Sequence, residues 1–81
     1  MAKPSPIHAG SPALVAIGNA IRAVRKTQEL SQEELALACE LDRSYVGGIE
    51  RGEHNLTVLN LIKIASTLNI SGADLLKQAK V

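Results

Sequence analysis

The residues of this chain that could carry out chemistry are few and widely spaced. The single cysteine, Cys39, cannot form a disulfide within the chain, nor a metal site that needs two thiolates. The two histidines, His8 and His54, lack the spacing of a metal site, and no phosphate-binding glycine loop or nucleophile motif is present. At 81 residues, the chain has room for one core but not for a buried catalytic cleft. The sequence therefore predicts that the protein is not an enzyme and uses no metal or cofactor.

The charged residues are distributed unevenly along the chain, although the formal net charge is only +1. Residues 1–28 contain cations and no acid, whereas residues 29–53 contain most of the acids and only Arg43 and Arg51 as cations. The protein would therefore contact a polyanionic partner through a few individual cationic side chains and not through a uniformly basic face. Because aromatic residues make up 1% of the chain, base stacking on aromatic platforms is close to excluded.

The elements that must position these cations are predicted to be helices. Residues 1–11 are rich in proline, glycine and small polar side chains, which predicts a flexible N-terminal arm. From Pro12 onward, apolar residues recur every three or four positions, which predicts a first helix with Ser11 as its N-cap. Arg25 and Lys26 lie near the end of this helix, where cations complement the helix dipole.

Two short helices are predicted in the middle of the chain. Ser31 and Glu34 have the spacing of a capping box, so the first of these helices begins after Ser31. Asp42 is placed to cap the next helix, which reaches about Arg51 and stops at Gly52. Helices separated by about three residues cannot lie antiparallel along their length, so they must cross steeply in a helix-turn-helix arrangement.

Two further helices complete the predicted fold, one capped by Thr57 and a terminal one opened by Ser71. With no strand signal and a core that must be aliphatic, the sequence predicts an all-α domain of five helices over residues 12–81. The longest apolar stretches are far short of a membrane span, and the N-terminus lacks the apolar run of a secretory signal. The expected location is therefore the cytoplasm.

Three stretches of the sequence carry a resemblance to a known family. Residues 30–36 (LSQEELA), 41–46 (LDRSYV) and 49–52 (IERG) closely resemble the Cro/phage-repressor-like, XRE-type helix-turn-helix transcriptional regulators. The resemblance extends over about residues 14–77 and implies a lambda-repressor-like DNA-binding domain. Within that family, the Asn-Leu-Thr segment at 55–57 is most similar to small restriction–modification controller proteins.

The resemblance implies a small single-domain regulator that binds double-stranded DNA sequence-specifically. Its second motif helix, about residues 42–51, would enter the major groove, which is about 12 Å wide and admits one helix. Members of the family usually act as homodimers on palindromic operators, which here implies half-sites about 34 Å apart. A bacterial or phage protein of this kind is expected on the nucleoid when bound, with no membrane partner and no small-molecule effector.

The resemblance places four residues of this recognition helix toward the DNA bases: Arg43, Ser44, Gly47 and Gly48. Arg43 is the best candidate, since arginine can contact guanine O6 and N7 with two hydrogen bonds. The alternative for Arg43 is a surface ion pair with Glu40 or Glu53. The two glycines have no side chain to contact a base. Either their backbone approaches the DNA closely, or specificity depends on Arg43, Ser44 and DNA shape, or a neighbouring helix crowds the two positions.

Six further residues are expected from the resemblance to contact phosphates: Gln32, Tyr45, Arg51, His54, Asn55 and Thr57. Gln32 would do so at the start of the first motif helix, where free N–H groups favour an anion. The hydroxyl of Tyr45 is equally well placed to cap the edge of the core. Arg25 and Glu50 match a family ion pair that joins the first helix to the recognition helix, so the expected role of Glu50 is structural.

Glu40 departs from the family pattern, which usually has glycine in the turn of the motif. A non-glycine residue in a left-handed turn costs on the order of 1 kcal/mol, and its charge would lie near the DNA. Together with the two adjacent glycines, this leaves an alternative function, an antitoxin-like or protein-interaction module with weakened DNA contact. Five apolar residues beyond the needs of one core supply either a dimer interface or more core: Val58, Leu59, Ile62, Ile70 and Val81.

Overall fold

The computed structural model of the protein describes residues 3–81, so the first two residues of the expected arm lie outside the described part. Five helices follow one another: α1 Pro12–Thr27, α2 Gln32–Cys39, α3 Arg43–Glu50, α4 Val58–Thr67 and α5 Gly72–Ala79. The predicted all-α fold with a central helix-turn-helix is therefore confirmed, and residues 3–81 contain no strand. None of the five helices has both the length and the apolar character needed to cross a bilayer.

Hydroxyl side chains define the start of three helices. Ser31 Oγ accepts a hydrogen bond from the backbone N–H of Glu34 at 3.0 Å, and Glu34 Oε1 accepts one from the Ser31 N–H at 2.8 Å, which completes the predicted capping box. These bonds from Ser31 hold the pKa of the Glu34 carboxyl below its usual range. Thr57 and Ser71 likewise accept from the N–H three residues later, so α2, α4 and α5 begin where the sequence predicts.

Two predicted caps form differently. The Ser11 side chain makes no capping bond, and α1 begins directly at Pro12, whose missing N–H is one that the first helical turn leaves unpaired in any case. Asp42 occupies the N-cap position of α3, but its carboxylate accepts from the Ser44 hydroxyl instead of capping the helix backbone. That hydrogen bond also lowers the pKa of Asp42.

The core is aliphatic and draws one or more fully buried side chains from every helix. Its centre is formed by Ile21 of α1, Leu35 of α2, Val46 of α3, Ile64 of α4 and Leu75 of α5. Burying each such side chain stabilises the fold by roughly 1.5–3 kcal/mol. The single thiol, Cys39, is buried among them, with its Sγ 3.3 Å from Thr67 Oγ1.

One glycine sets the separation of α1 and α3. A Cβ added to Gly18 would lie 2.7 Å from the carbonyl oxygen of Glu50, closer than real Cβ atoms approach backbone. The absence of a side chain at Gly18 therefore lets α1 support the end of the recognition helix directly.

The turn between α2 and α3 contains a residue in the left-handed conformation, Glu40, at the position where the family usually has glycine. Glu40 has a φ of 57°, and the N–H of Leu41 donates to the carbonyl of Ala36 at 2.9 Å to close the turn. Ala36 is small and buried, which allows the two helices to cross closely. The turn thus has its normal geometry although it lacks glycine.

The expected N-terminal arm lies against the loop that follows α3. The N–H of Ser5 donates to the Glu53 carbonyl at 2.7 Å, and the N–H of Gly10 donates to the Gly52 carbonyl at 2.8 Å. Between them, residues 6–10 form a turn. In this structure the arm is therefore hydrogen-bonded to the domain and does not project from it.

Candidate nucleic-acid interface

Arg43 occupies the first residue of α3, and its side chain is exposed. Among the described residues, no carboxylate lies within ion-pair distance of Arg43, and Glu53 pairs with Arg51 instead. Ser44, which follows it, is half-buried, and its hydroxyl donates to Asp42. The start of α3 therefore presents the free guanidinium of Arg43 beside Ser44, whose hydroxyl proton is donated to Asp42.

A buried polar network fixes α3 in place beneath this surface. Arg25 Nε donates to Glu50 Oε2 at 2.7 Å, and Arg25 Nη2 donates to Glu50 Oε1 at 3.0 Å, so the ion pair expected between α1 and α3 is present. Arg25 Nη1 also donates to the Leu30 carbonyl at 2.7 Å. The hydrogen bond to Glu50 raises the pKa of the Arg25 guanidinium. The same pair therefore connects α1, the segment before α2 and the end of α3.

Gln32, expected at a phosphate, is the third member of the network. Its Nε2 donates to Glu50 Oε1 at 3.0 Å, so one of its two amide hydrogens points into the protein. The second hydrogen is left for another acceptor. Gln32 is also the first residue of α2, where backbone N–H groups without helical partners favour an anion.

The Tyr45 hydroxyl is oriented by a residue that the sequence did not single out. Asn60 Nδ2 donates to Tyr45 Oη at 3.0 Å, and the ring of Tyr45 packs against the core. Since the oxygen accepts this bond, the phenolic proton remains free to donate to a phosphate. Both roles considered for Tyr45 are therefore compatible in one side chain. Asn60 lies on α4, so only the tertiary structure brings it to α3.

The expected outward placement of Gly48 is wrong. A Cβ added to Gly48 would lie 2.6 Å from His54 Cδ2, and both residues are buried. The His54 ring fills the space that a side chain at Gly48 would occupy, and its centroid lies 4.8 Å from that of Tyr45. His54 thus faces the recognition helix and is buried, whereas the resemblance implies an exposed side chain at the phosphates. The crowding comes from the loop after α3, and not from a neighbouring helix.

Gly47 is also buried, but polar side chains near the surface cover it. A Cβ at this position would lie 3.2 Å from Arg51 Nη1 and 3.5 Å from Gln32 Oε1. The Arg51 side chain folds back along α3 and covers the glycine.

Arg51 is held in this position by Glu53, which the sequence analysis considered only as a partner of Arg43. Arg51 Nε donates to Glu53 Oε2 at 2.8 Å, and Arg51 Nη2 donates to Glu53 Oε1 at 3.2 Å. These hydrogen bonds raise the pKa of Arg51 and lower the pKa of Glu53. Gly52, with a φ of 75°, turns the chain sharply between the two. The Arg-Gly-Glu spacing was the available signal for this pair.

Asn55 and Thr57 lie in the exposed loop that precedes α4. The Thr57 Oγ1 accepts from the Asn60 N–H at 3.1 Å, which leaves its hydroxyl proton available. Six of the residues named from the sequence thus lie around α3 with donors available: Arg43, Gln32, Tyr45, Arg51, Asn55 and Thr57. His54 and Gly48 are instead buried.

An apolar surface lies on α4, formed by Val58, Leu59 and Ile62, which are 69%, 78% and 50% exposed. We call it the α4 surface. Of the other two residues considered for an interface, Ile70 packs partly against the core, and Val81 is exposed at the end of the chain.

Comparison with known proteins identifies the family. A model described as "Helix-turn-helix" matches residues 21–75. The control protein C.BamHI of Bacillus amyloliquefaciens is 40% identical over 60 residues, which cover 73% of this chain and 74% of that protein. The control protein C.SmaI of Serratia marcescens is 45% identical over 56 residues, covering 69% of this chain and 67% of that one.

A solved structure agrees with these relatives. The restriction-modification controller protein C.AhdI from Aeromonas hydrophila is 47% identical and superposes with a TM-score of 0.75 over 76% of this chain and 94% of that one. Since the matched region contains the whole helix-turn-helix and the network that supports it, the chain belongs to the XRE-type helix-turn-helix family, with restriction–modification control proteins among its homologues.

Proposed function

We propose that the protein is a transcriptional regulator that binds double-stranded DNA sequence-specifically, as a homodimer on a two-fold symmetric site, with α3 in the major groove. The observation that carries this proposal is Arg43, an exposed guanidinium without an ion-pair partner among the described residues, at the start of a helix that a buried ion pair fixes. Arginine in such a position can bind guanine O6 and N7 with two hydrogen bonds. A regulator of this kind works in the cytoplasm of a bacterium or an infected host, on the nucleoid.

Donors on both sides of α3 support the phosphate contacts of this proposal. Gln32 and the start of α2 lie on one side, while the Tyr45 hydroxyl and the loop with Asn55 and Thr57 lie on the other. In helix-turn-helix complexes, such flanking contacts fix the register of the recognition helix but carry no sequence information.

The apolar α4 surface supports the part of the proposal that concerns a homodimer. One small DNA-binding module buries about 600–1,000 Å² on DNA, which is marginal for specific binding by itself. Two copies joined through Val58, Leu59 and Ile62 would double that area. Half-sites one helical turn apart would require their two α3 helices to lie about 34 Å apart. The apolar character of the surface favours another copy of the chain over a charged partner.

Selection from a random duplex library at moderate salt tests the proposal. We expect a two-fold symmetric motif with half-sites about one helical turn apart. Arg43→Ala should then relax one base position in each half-site and leave the thermal unfolding curve unchanged, since Arg43 is exposed. Folded protein that selects no motif would rule out sequence-specific regulation.

A protein-interaction module without strong DNA contact is the second candidate. It is favoured by the two glycines of α3, which offer no side chain to a base, and by the charge of Glu40 in the motif turn. Salt dependence separates the two functions. Contact with six or more phosphates per dimer predicts an affinity that falls steeply with salt, by about 10³-fold or more between 50 and 200 mM, whereas an apolar protein interface predicts little change.

A further inference from the structure

A second guanidinium, that of the C-cap residue Arg51, lies on the same face of α3 as the guanidinium of Arg43. Arg43, Gly47 and Arg51 are spaced four residues apart and therefore lie on one face of the helix. Arg51 Nη1 lies 3.2 Å from the position of a Cβ on Gly47, so the guanidinium extends back toward Arg43 over the middle of the helix. It thereby occupies the place where a side chain at 47 would contact DNA.

The hydrogen bonds of Arg51 leave one particular edge of the guanidinium available. Glu53 takes the edge formed by Nε and Nη2, at 2.8 and 3.2 Å. A guanidinium has five N–H donors, so the end formed by Nη1 and Nη2 still carries two parallel donors. A pair of parallel donors is the arrangement that binds guanine O6 and N7 in the major groove.

A small residue at position 47 favours this arrangement. A Cβ at 47 would already be in tight contact with Nη1, and any longer side chain would displace the guanidinium. Glu53 in turn limits the rotamers of an arginine whose side chain is 60% exposed, so the free edge has a defined direction.

We propose that Arg51, positioned by Glu53 across Gly47, is a second specificity-determining residue that binds a guanine in the operator. This inference rests on the proposed DNA-binding function, and it differs from the phosphate contact expected for Arg51 from the sequence. Eight residues of helix span about 12 Å, which corresponds to about three to four base-pair steps for a helix that lies along the groove. The Arg51 guanine therefore lies within that distance of the base pair contacted by Arg43.

The test compares library selection and affinity for wild type, Arg51→Lys, Arg51→Ala and Glu53→Gln. Arg51→Lys keeps the charge but loses the two-donor edge, so we expect loss of one base preference, roughly 5- to 150-fold in discrimination, with unchanged affinity for random duplex. Glu53→Gln should weaken the same preference while affinity for random duplex rises, because one negative charge leaves the surface. Arg22→Lys, at an exposed arginine of α1, is the matched control and should change no preference.

The outcomes separate this inference from the proposed function. If Arg51→Lys selects the wild-type motif and Arg51→Ala weakens binding to all sequences equally, Arg51 contacts only phosphate and the inference is wrong, while the proposed function stands. If the wild type itself selects no motif, the proposed function fails and this inference fails with it. Both Arg51 and Glu53 lie at the surface, and circular dichroism verifies that the variants fold.

Discussion

Arg25 on α1 and Glu50 on α3 are joined by two hydrogen bonds, of 2.7 and 3.0 Å, and their side chains are only 9% and 2% exposed. Glu50 also accepts from Gln32, so a single carboxylate connects the two motif helices to α1. Because desolvated charges are costly unless they are paired, the network fixes the orientation of α3 and not only the stability of the fold.

Replacing Arg25 with alanine should destabilise the protein by about 3–5 kcal/mol, because Glu50 would remain as a buried charge without its cation. Urea denaturation measures this loss. The exposed Arg51–Glu53 pair provides the control, since Glu53→Gln should cost no more than about 1 kcal/mol.

Arg25→Ala by itself does not distinguish the loss of a favourable ion pair from the cost of leaving the Glu50 charge buried and unpaired. The double variant Arg25→Met, Glu50→Leu removes both charges and should recover most of the stability. A double variant as unstable as Arg25→Ala would show that the pair contributes packing that no apolar side chains replace.

Gly48→Ala should lower stability by about 1–3 kcal/mol, since the new methyl group would overlap the His54 ring. Gly47→Ala is the matched control. It meets only the flexible end of Arg51 and should gain up to about 1 kcal/mol from its higher helix propensity. Thermal unfolding of both variants measures the difference.

His54→Ala tests the cause of the Gly48 effect. Combined with Gly48→Ala, it removes the overlap. The double variant should therefore lose less stability than the sum of the losses of the two single variants. Strictly additive effects would show that the ring does not occupy the position the structure gives it.

The contrast between the two glycines shows which features the sequence could predict. The capping box of Ser31 and Glu34 depends on a spacing of three residues, so local pattern was enough to place the start of α2. The position of His54 depends on the path of a loop around a helix that lacks a side chain, and no periodicity encodes it. Likewise, Asn60 meets Tyr45 only because α4 crosses near α3.

Glu40→Gly should stabilise the protein by up to about 1 kcal/mol, because the residue adopts a φ of 57° that glycine tolerates without strain. Glu40→Ala removes the same charge but keeps the Cβ. It should therefore show no such gain in urea denaturation. Equal gains in the two variants would indicate that the charge, and not the backbone conformation, is unfavourable.

Leu59→Glu should abolish the proposed dimer, because it places a charge on the apolar α4 surface, where Leu59 is 78% exposed. Sedimentation at micromolar concentration measures the change, and affinity for a two-half-site operator should fall with it, since each half-site would then be bound independently. Thermal unfolding of the monomer unit should be little affected because the side chain lies outside the core.

Leu37→Glu is the matched control, at an equally exposed leucine of α2, and should remain dimeric. A dimer that persists in Leu59→Glu, or is lost equally in both variants, would place the interface elsewhere on the molecule.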